Sequence, residues 1–235
     1  MSNLTTKDTE GLFVVIPAFN EALVLNQVIE DVSEHVSRSN IIVVDDGSTD
    51  ETANESARAG VTVLRHLVNR GQGAALATGI AAALRRQAKA IVTFDADGQH
   101  SAEDIPHLVE PVLTGQYDVV LGSRFIGTEP QEMPVLRRWI LHLAVLFTRV
   151  FSQIQVTDVH NGLRAFSMQS AKQIRIHEDR MAHASELLDE IRRHRIRYVE
   201  HPVKVVYSPY SLSKGQKNID AIKLALRILI HKVTG

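Results

Sequence analysis

Apolar and polar positions follow two rhythms along the first half of the chain. Short unbroken apolar runs recur: "LFVVIP" (12–17), "IIVV" (41–44), "VTVL" (61–64), "AIVTF" (90–94) and "DVVLG" (118–122). They are too short for helices and apolar at successive positions, so they predict strands buried on both faces. Segments of helical period separate them. Residues 21–36 place Val24, Val28, Val32 and Val36 on one helix face. Ser48 and Glu51 have capping-box spacing and predict a helix running to about Arg58. The Ala-rich stretch Ala74 to Gln87 and the stretch Glu103 to Leu113 predict two more. Strands that alternate with helices predict an α/β fold with a Rossmann-like, mostly parallel central sheet and helices on both faces.

The second half is less regular. Residues 137–153 read as an amphipathic helix, and 156–166 ("VTDVHNGLRAF") as a turn-rich segment. Residues 184–194 read as a helix, and 196–207 as one or two strands. The stretch from Ile219 to Val233 reads as an amphipathic helix carrying Lys223, Arg227, His231 and Lys232. Such a basic helix can rest on an anionic membrane surface. Both helices could equally pack on the core or form a homodimer.

Composition narrows the classes. The chain has 235 residues, which suits one large domain, and 44% hydrophobic residues, which suffice for a core. A formal net charge of −1 offers nothing to nucleic acid. Cysteine is absent, which removes disulfides, thiolate metal sites and cysteine nucleophiles together. The start "MSNLTTKDTEG" is polar and predicts no signal peptide. The apolar run "WILHLAVLFTRVF" (139–151) is broken by His142 and Arg149. It falls short of the roughly 20 apolar residues a membrane span needs, so it predicts a buried or interfacial helix.

In open α/β sheets ligands bind beyond the carboxyl ends of the strands. Three predicted strand ends carry unusual residues: "PAFNE" (17–21), "DDGSTD" (45–50) and "DADGQH" (95–100). In the last, Asp95 and Asp97 are two apart, so they point the same way if the strand persists. Two carboxylates, with Gln99 as a third oxygen donor, suit Mg²⁺ or Mn²⁺. Alternatively, Asp and Gly here simply make a turn. Asp46 could accept hydrogen bonds from a base or ribose, while Ser48 reads as a helix cap. The loop "NRGQG" (69–73), with Gly71, opens a helix and could seat a phosphate. It is no dinucleotide fingerprint: Leu76 replaces the third Gly, and the loop follows the third strand. That argues against a nicotinamide-dependent oxidoreductase. Arg124 in "LGSR", Arg164 in "NGLR" and Lys214 in "SLSK" are surface charges or partners of a phosphate. Most of the 11 histidines read as surface or core residues; His100 and His160 only neighbour motifs.

Taken in order, "VVIPAFNE", "VVDDGSTDET", "NRGQGAA", "FDADGQH", "GSRF" and "TDVHNGLRAF" resemble the family 2 inverting glycosyltransferases of the GT-A fold. The resemblance spans residues 12–215 and is nearest to the dolichyl- and polyprenyl-phosphate sugar transferases. It implies that Pro17, Phe19 and Glu21 form the first nucleotide-binding segment, with Asp46 near the base and ribose. It implies that Asp95, Asp97 and Gln99 hold Mg²⁺ or Mn²⁺ and the donor diphosphate. Arg124 and Arg164 match arginines near the phosphates and acceptor. Lys214 matches a lysine of a closing loop, and Glu186 a glutamate of the acceptor side. The family's "SGFR" is "NGLR" here, and the closing loop reads "YSPYSLSK" without the usual Arg.

The implied organisation is one domain over 1–235, with a nucleotide-sugar half (11–125), an acceptor-side half (126–215) and a terminal amphipathic helix (216–235). The implied partners are a nucleotide-diphosphate sugar, a polyprenyl phosphate, and a membrane surface or small membrane partner protein, with no nucleic acid. The expected location is cytoplasmic, peripheral at the cytoplasmic face of a membrane. Within the fold, transfer to a glycan hydroxyl is the alternative, with Glu186 or Asp189 as general base. A non-catalytic nucleotide-binding scaffold is the reading from another class.

Overall fold

The computed structural model describes residues 10–127, 139, 145, 154–180, 182–207 and 210. Lys214 and the predicted helix at 219–233 lie outside the described residues. So does the predicted helix at 137–153, apart from Trp139 and Val145.

Seven strands form one sheet: β1 (Leu12–Ala18), β2 (Ile41–Asp45), β3 (Thr62–Arg65), β4 (Ala90–Thr93), β5 (Val119–Ser123), β6 (Arg164–Ser167) and β7 (Tyr198–Pro202). Their order is β3-β2-β1-β4-β6-β5-β7. The first four strands are mutually parallel, with Val14 opposite Ile41 and Phe13 opposite Ile91. β6 enters antiparallel between β4 and β5, and β7 pairs parallel with β5. The five apolar runs of the first half are therefore strands, as the pattern predicts. β6 occupies the end of the segment expected to be turns. It has four residues, one an arginine, and no alternation marks it; the cross-strand partners Val92 and Val120 on either side of Ala165 make it a strand.

The helices are α1 (Leu25–Ser33), α2 (Thr52–Arg58), α3 (Gln72–Arg85), α4 (Ile105–Leu113), α5 (Met168–Gln173) and α6 (His183–Arg193). Alternate residues of β1 face opposite layers. Leu12, Val14 and Ile16 pack with Leu25, Ile29 and Val32 of α1 and with Leu108 and Val109 of α4. Phe13 and Val15 face Ala75, Leu76 and Ala83 of α3, in a layer that includes Leu187, Leu188 and Ile191 of α6. Fully burying each of these larger side chains contributes about 1.5–3 kcal/mol. Gly79 lets α3 lie close on the sheet, because a Cβ there would fall 2.2 Å from Val15 Cγ1.

The expected capping box is not formed. The residue preceding α2 is Glu51, whose side chain makes no capping bond, and the Thr52 N–H is taken by Asp50 Oδ1 at 3.0 Å. The helix starts at Thr52, four residues beyond Ser48, so Ser48 stays in the loop and its Oγ accepts the Asn20 N–H at 2.9 Å. Among the described residues, no helix is long and apolar enough to cross a membrane.

Candidate active site

β1, β2, β4 and β5 run in one direction, so their carboxyl ends share an edge of the sheet. That brings residues 19–21, 45–50, 95–100 and 124 to one rim. β6 runs the other way, so its amino end, and with it "NGLR", starts at the same rim.

Asp95 is the centre of this meeting. Gln72 Nε2 donates to its Oδ1 at 2.8 Å, and His100 Nε2 lies 3.2 Å from its Oδ2. Gly162 fits against it because it lacks a side chain: a Cβ there would fall 2.0 Å from Asp95 Oδ2. Thr93 Oγ1 holds this glycine by donating to its carbonyl at 2.7 Å. Gln72 of "NRGQG" and Gly162 of "NGLR" thus flank the same carboxylate from two distant parts of the chain.

The two aspartates differ electrostatically. Burial pushes the Asp95 carboxyl up, but the hydrogen bond from His100 and the charges of His100 and Arg164 outweigh it and hold it below its ordinary value. Asp97 is pushed up to about 6, first by burial and then by the Asp95 charge. Its Oδ1 accepts the Gln99 N–H at 3.0 Å. A hard divalent cation fits this pair: the donors are oxygens, and a second negative charge beside Asp95 is unfavourable until compensated. Among the described residues, no group of three or more His, Asp or Glu side chains surrounds a metal position. A cation here would draw further oxygens from Gln99, water or a bound substrate.

Both arginines are buried. Arg124 is 5% exposed; its Nε donates to Asp158 Oδ2 at 2.6 Å and its Nη1 to the Tyr207 hydroxyl at 3.2 Å. Burial works against its charge, and Asp158 and Tyr207 more than restore it. The loop carrying Asp158 is held in turn by Glu200, which accepts N–H bonds from Thr157 and Asp158. Arg164 is 4% exposed and donates to the Val159 carbonyl at 3.0 Å. Burial lowers its pKa, with Asp95 and Asp158 opposing. His160 and His183 are each pushed down to about 4, chiefly by burial, so both are neutral near pH 7. Asn161, which stands where the family has Ser, keeps Nδ2 buried without a hydrogen-bond partner, while its Oδ1 accepts the Leu163 N–H.

Other expected residues are turned inward. Asp46 is 3% exposed and accepts the N–H groups of Arg70 (3.0 Å) and Gly71 (2.6 Å), with His66 Nδ1 at 2.7 Å. It fixes the glycine loop. Gly71 (φ +112) admits the backbone of 179–180, since a Cβ there would fall 2.4 Å from Asp179 O. Ala74 N also donates to Asp179 O, so part of the α3 amino end is already used by the chain itself. Glu186 accepts the N–H groups of His177 and Glu178 at 3.0 and 2.9 Å and holds that same covering loop. Pro17 is buried within β1, and Phe19 is exposed just beyond it. Glu21 accepts a hydrogen bond from the Tyr210 hydroxyl at 2.7 Å.

The sequence reading missed Gln72, Asp158, Gly162, Tyr207 and Tyr210, and left His100 as a bystander. Gln72, His100, Asp158 and Gly162 lie inside the motifs "NRGQGAA", "FDADGQH" and "TDVHNGLRAF", which was the available signal. Both tyrosines lie in "YSPYSLSK", where the signal noted was the Arg it lacks.

A family model described as Glycosyl transferase family 2 matches residues 13–175. An uncharacterized protein of Methanocaldococcus jannaschii is 38% identical over 99% of this chain and 96% of its own length. A UDP-N-acetylglucosamine–dolichyl-phosphate N-acetylglucosaminyltransferase of Methanococcus voltae is 31% identical over 94% of this chain and 96% of its own. Among solved structures, glucosyl-3-phosphoglycerate synthase of Mycobacterium tuberculosis, in complex with Mn²⁺, UDP and phosphoglyceric acid, superposes with a TM-score of 0.74 at 20% identity. That match covers 99% of this chain and 82% of the other.

Proposed function

The chain belongs to glycosyltransferase family 2, and from that premise we propose that it moves a sugar from a UDP- or GDP-sugar to a polyprenyl or dolichyl phosphate, with inversion at the anomeric carbon. It is a nucleotide-sugar glycosyltransferase of the GT-A fold. The observation that supports the finer reading is that Asp95, Asp97, Arg124 and Arg164 come to one rim, with the Arg164 charge acting on the Asp95 carboxyl and Arg124 held by Asp158 and Tyr207. Likeness to a dolichyl-phosphate N-acetylglucosaminyltransferase supports the lipid-phosphate acceptor.

On this reading Asp95, Asp97 and Gln99 hold Mg²⁺ or Mn²⁺, which when bound neutralises charge on the departing diphosphate. The chain's own residues do the rest. Gln72 and His100 fix the Asp95 carboxylate. Arg124 and Arg164 supply positive charge in a dry setting, where it acts strongly on phosphate oxygens. Asp158 and Glu200 keep Arg124 in place. An acceptor phosphate is already ionised near neutral pH, so its oxygen can attack without a general base. Glu186 fits this scheme, because its carboxylate is spent on backbone N–H groups of 177–178. Pro17, Phe19, Glu21 and Asp46 line or brace the nucleotide end. The same reading treats 1–235 as one domain acting at the cytoplasmic face of a membrane, held there peripherally or by a small membrane partner.

The test is a partition assay. The protein is incubated with labelled UDP- and GDP-sugars, a divalent metal and short polyprenyl phosphates, then extracted with organic solvent. Metal-dependent label in the organic phase is the expected result and names the donor. Label that stays aqueous, with donor binding intact, overturns the lipid acceptor in favour of a hydroxyl.

A further inference from the structure

After β7 the chain turns back across the rim, and its contacts fall on the site pieces in turn. Val203 N donates to the Ser123 carbonyl, one residue before Arg124, at 3.0 Å. Lys204 N donates to Asp104 Oδ2 at 3.0 Å. Val205 pairs with His100 as an isolated antiparallel bridge, and Val206 N donates to the Gln99 carbonyl at 2.8 Å. The Tyr207 hydroxyl receives Arg124 Nη1. Tyr210 then donates its hydroxyl to Glu21 Oε2 at 2.7 Å, across 189 positions of sequence. Residues 203–207 and Tyr210 therefore touch the segment after Asp97, the buried arginine and the end of β1.

We propose that Tyr210 is a positioning residue for the nucleotide donor, acting through Glu21. The geometry is specific. Glu21 begins the turn into α1, where its carbonyl accepts the N–H groups of Val24 and Leu25. Its own N–H is tied to Thr52 Oγ1 at 2.8 Å. The backbone is thus fixed, and Tyr210 fixes the carboxylate. A phenol is a suitable partner here because it must donate. Burial first, then the hydrogen bond to Glu21 and the carboxylates of Glu21, Asp50 and Asp97, raise its pKa, so its oxygen keeps the proton. A hydrogen bond to a charged acceptor is also among the stronger neutral-to-ion contacts. The anchoring of 203–207 to Gln99, His100 and Asp104 ties this contact to the segment holding the aspartate pair. Tyr210 thus meets the donor side and residues 203–207 the metal side. The role also bears on "YSPYSLSK": where the family pattern has an Arg, this chain brings a neutral donor to an acidic residue.

This inference rests on the nucleotide-sugar reading but not on the lipid acceptor. The experiment is a double-mutant cycle of Tyr210→Phe, Glu21→Gln and the pair, read as the Kd of UDP and of GDP by calorimetry with Mn²⁺ present, with melting temperatures alongside. The expected result is a roughly tenfold weaker Kd in Tyr210→Phe at unchanged melting temperature. Adding Tyr210→Phe to Glu21→Gln should then change Kd less than twofold. A Kd within twofold of the parent in Tyr210→Phe, or an equal loss in both backgrounds, overturns the proposal. Parent protein that binds neither nucleotide overturns the donor reading and this inference together. Nucleotide binding with an intact cycle but no label in the organic phase overturns the lipid acceptor alone.

Discussion

The rim is built from two regions that reach it by different routes. Residues 17–100 arrive there locally, at the carboxyl ends of parallel strands, and their site residues sit in contiguous motifs. Residues 154–207 arrive through one antiparallel strand and a chain of long-range polar bonds: Glu200 to Thr157, Asp158 to Arg124, Arg124 to Tyr207. The first region leaves Asp95 and Asp97 half-buried at the rim. The second buries Asp158 and Arg164 beside the rim, Asp158 paired with Arg124 and Arg164 bonded to the Val159 carbonyl. Asp97 and Asp158 show the contrast: one is a carboxylate under repulsion, the other a carboxylate paired with Arg124.

The largest expected effect tests the first region. Asp97→Ala should reduce turnover by about a thousandfold or more, the scale seen when a group aimed at developing charge is removed. Its melting temperature should hold or rise, because a carboxylate repelled by Asp95 leaves. Near-normal turnover would remove the metal reading of "DADGQH".

Asp158→Ala tests the second region, and its signature should be reversed. Deleting one partner of a buried ion pair typically costs about 3 kcal/mol or more, because the other charge stays buried alone. Denaturant unfolding should show that loss. If stability is unchanged, Arg124 has found water or another partner and the region is less dry than its burial indicates.

Gly162→Ala joins the two. A Cβ falls 2.0 Å from Asp95 Oδ2, so either β6 or the carboxylate must move. A displacement of about 1 Å at a reacting centre can cost roughly a hundredfold. The drop should appear in turnover and in metal affinity together. A fall in stability alone would show that the strand moves and Asp95 does not.

Much of the first region was legible because strand burial and motif share the same residues: an apolar run ending in "DADGQH" states both where it is and what it carries. The second was not. β6 has four residues including Arg164, and its strand character comes from Val92 and Val120 beside it rather than from its own pattern. Glycines were read as loop formers, yet Gly71, Gly73 and Gly162 are sites of close approach to residues far along the chain. Glu186 was an acceptor-side candidate, and a general base with Asp189 only if the acceptor is a hydroxyl; that its oxygens accept the 177–178 backbone N–H groups could not be read from "SELLDE". Pattern reports what a residue is; it does not report which distant group will claim it.

Acid should separate the regions more gently. His160 and His183, with folded pKa values near 4 against 6.5 for the free group, are neutral when folded. Between those pH values the unfolded chain binds more protons, so their contribution is complete above about pH 6.5 and is lost as pH falls towards 4. The full loss is on the order of 3 kcal/mol per histidine. Asp97 works in the opposite sense, since a folded value near 6 lets it take a proton earlier when folded. Urea unfolding from pH 7 to pH 4.5 should therefore show a decline that steepens in Asp97→Ala and flattens in His183→Asn. A decline identical in all three proteins would assign it to other groups.

The smallest effect returns to the first region and the helix start that the pattern misplaced. Ser48 Oγ accepts the Asn20 N–H, and Asn20 Oδ1 accepts the Thr49 N–H at 2.9 Å, so the two loops clasp each other beside β1 and β2. If Ser48 were a helix cap, Ser48→Ala would fray α2 and nothing else. As a clasp, it should cost about 1 kcal/mol and speed amide exchange at Asn20 and Glu21, leaving the interior of α2 as protected as before. Exchange confined to residues 52–55 would restore the capping role, and with it the view that this loop is organised by its own helix rather than by its neighbour across the sheet.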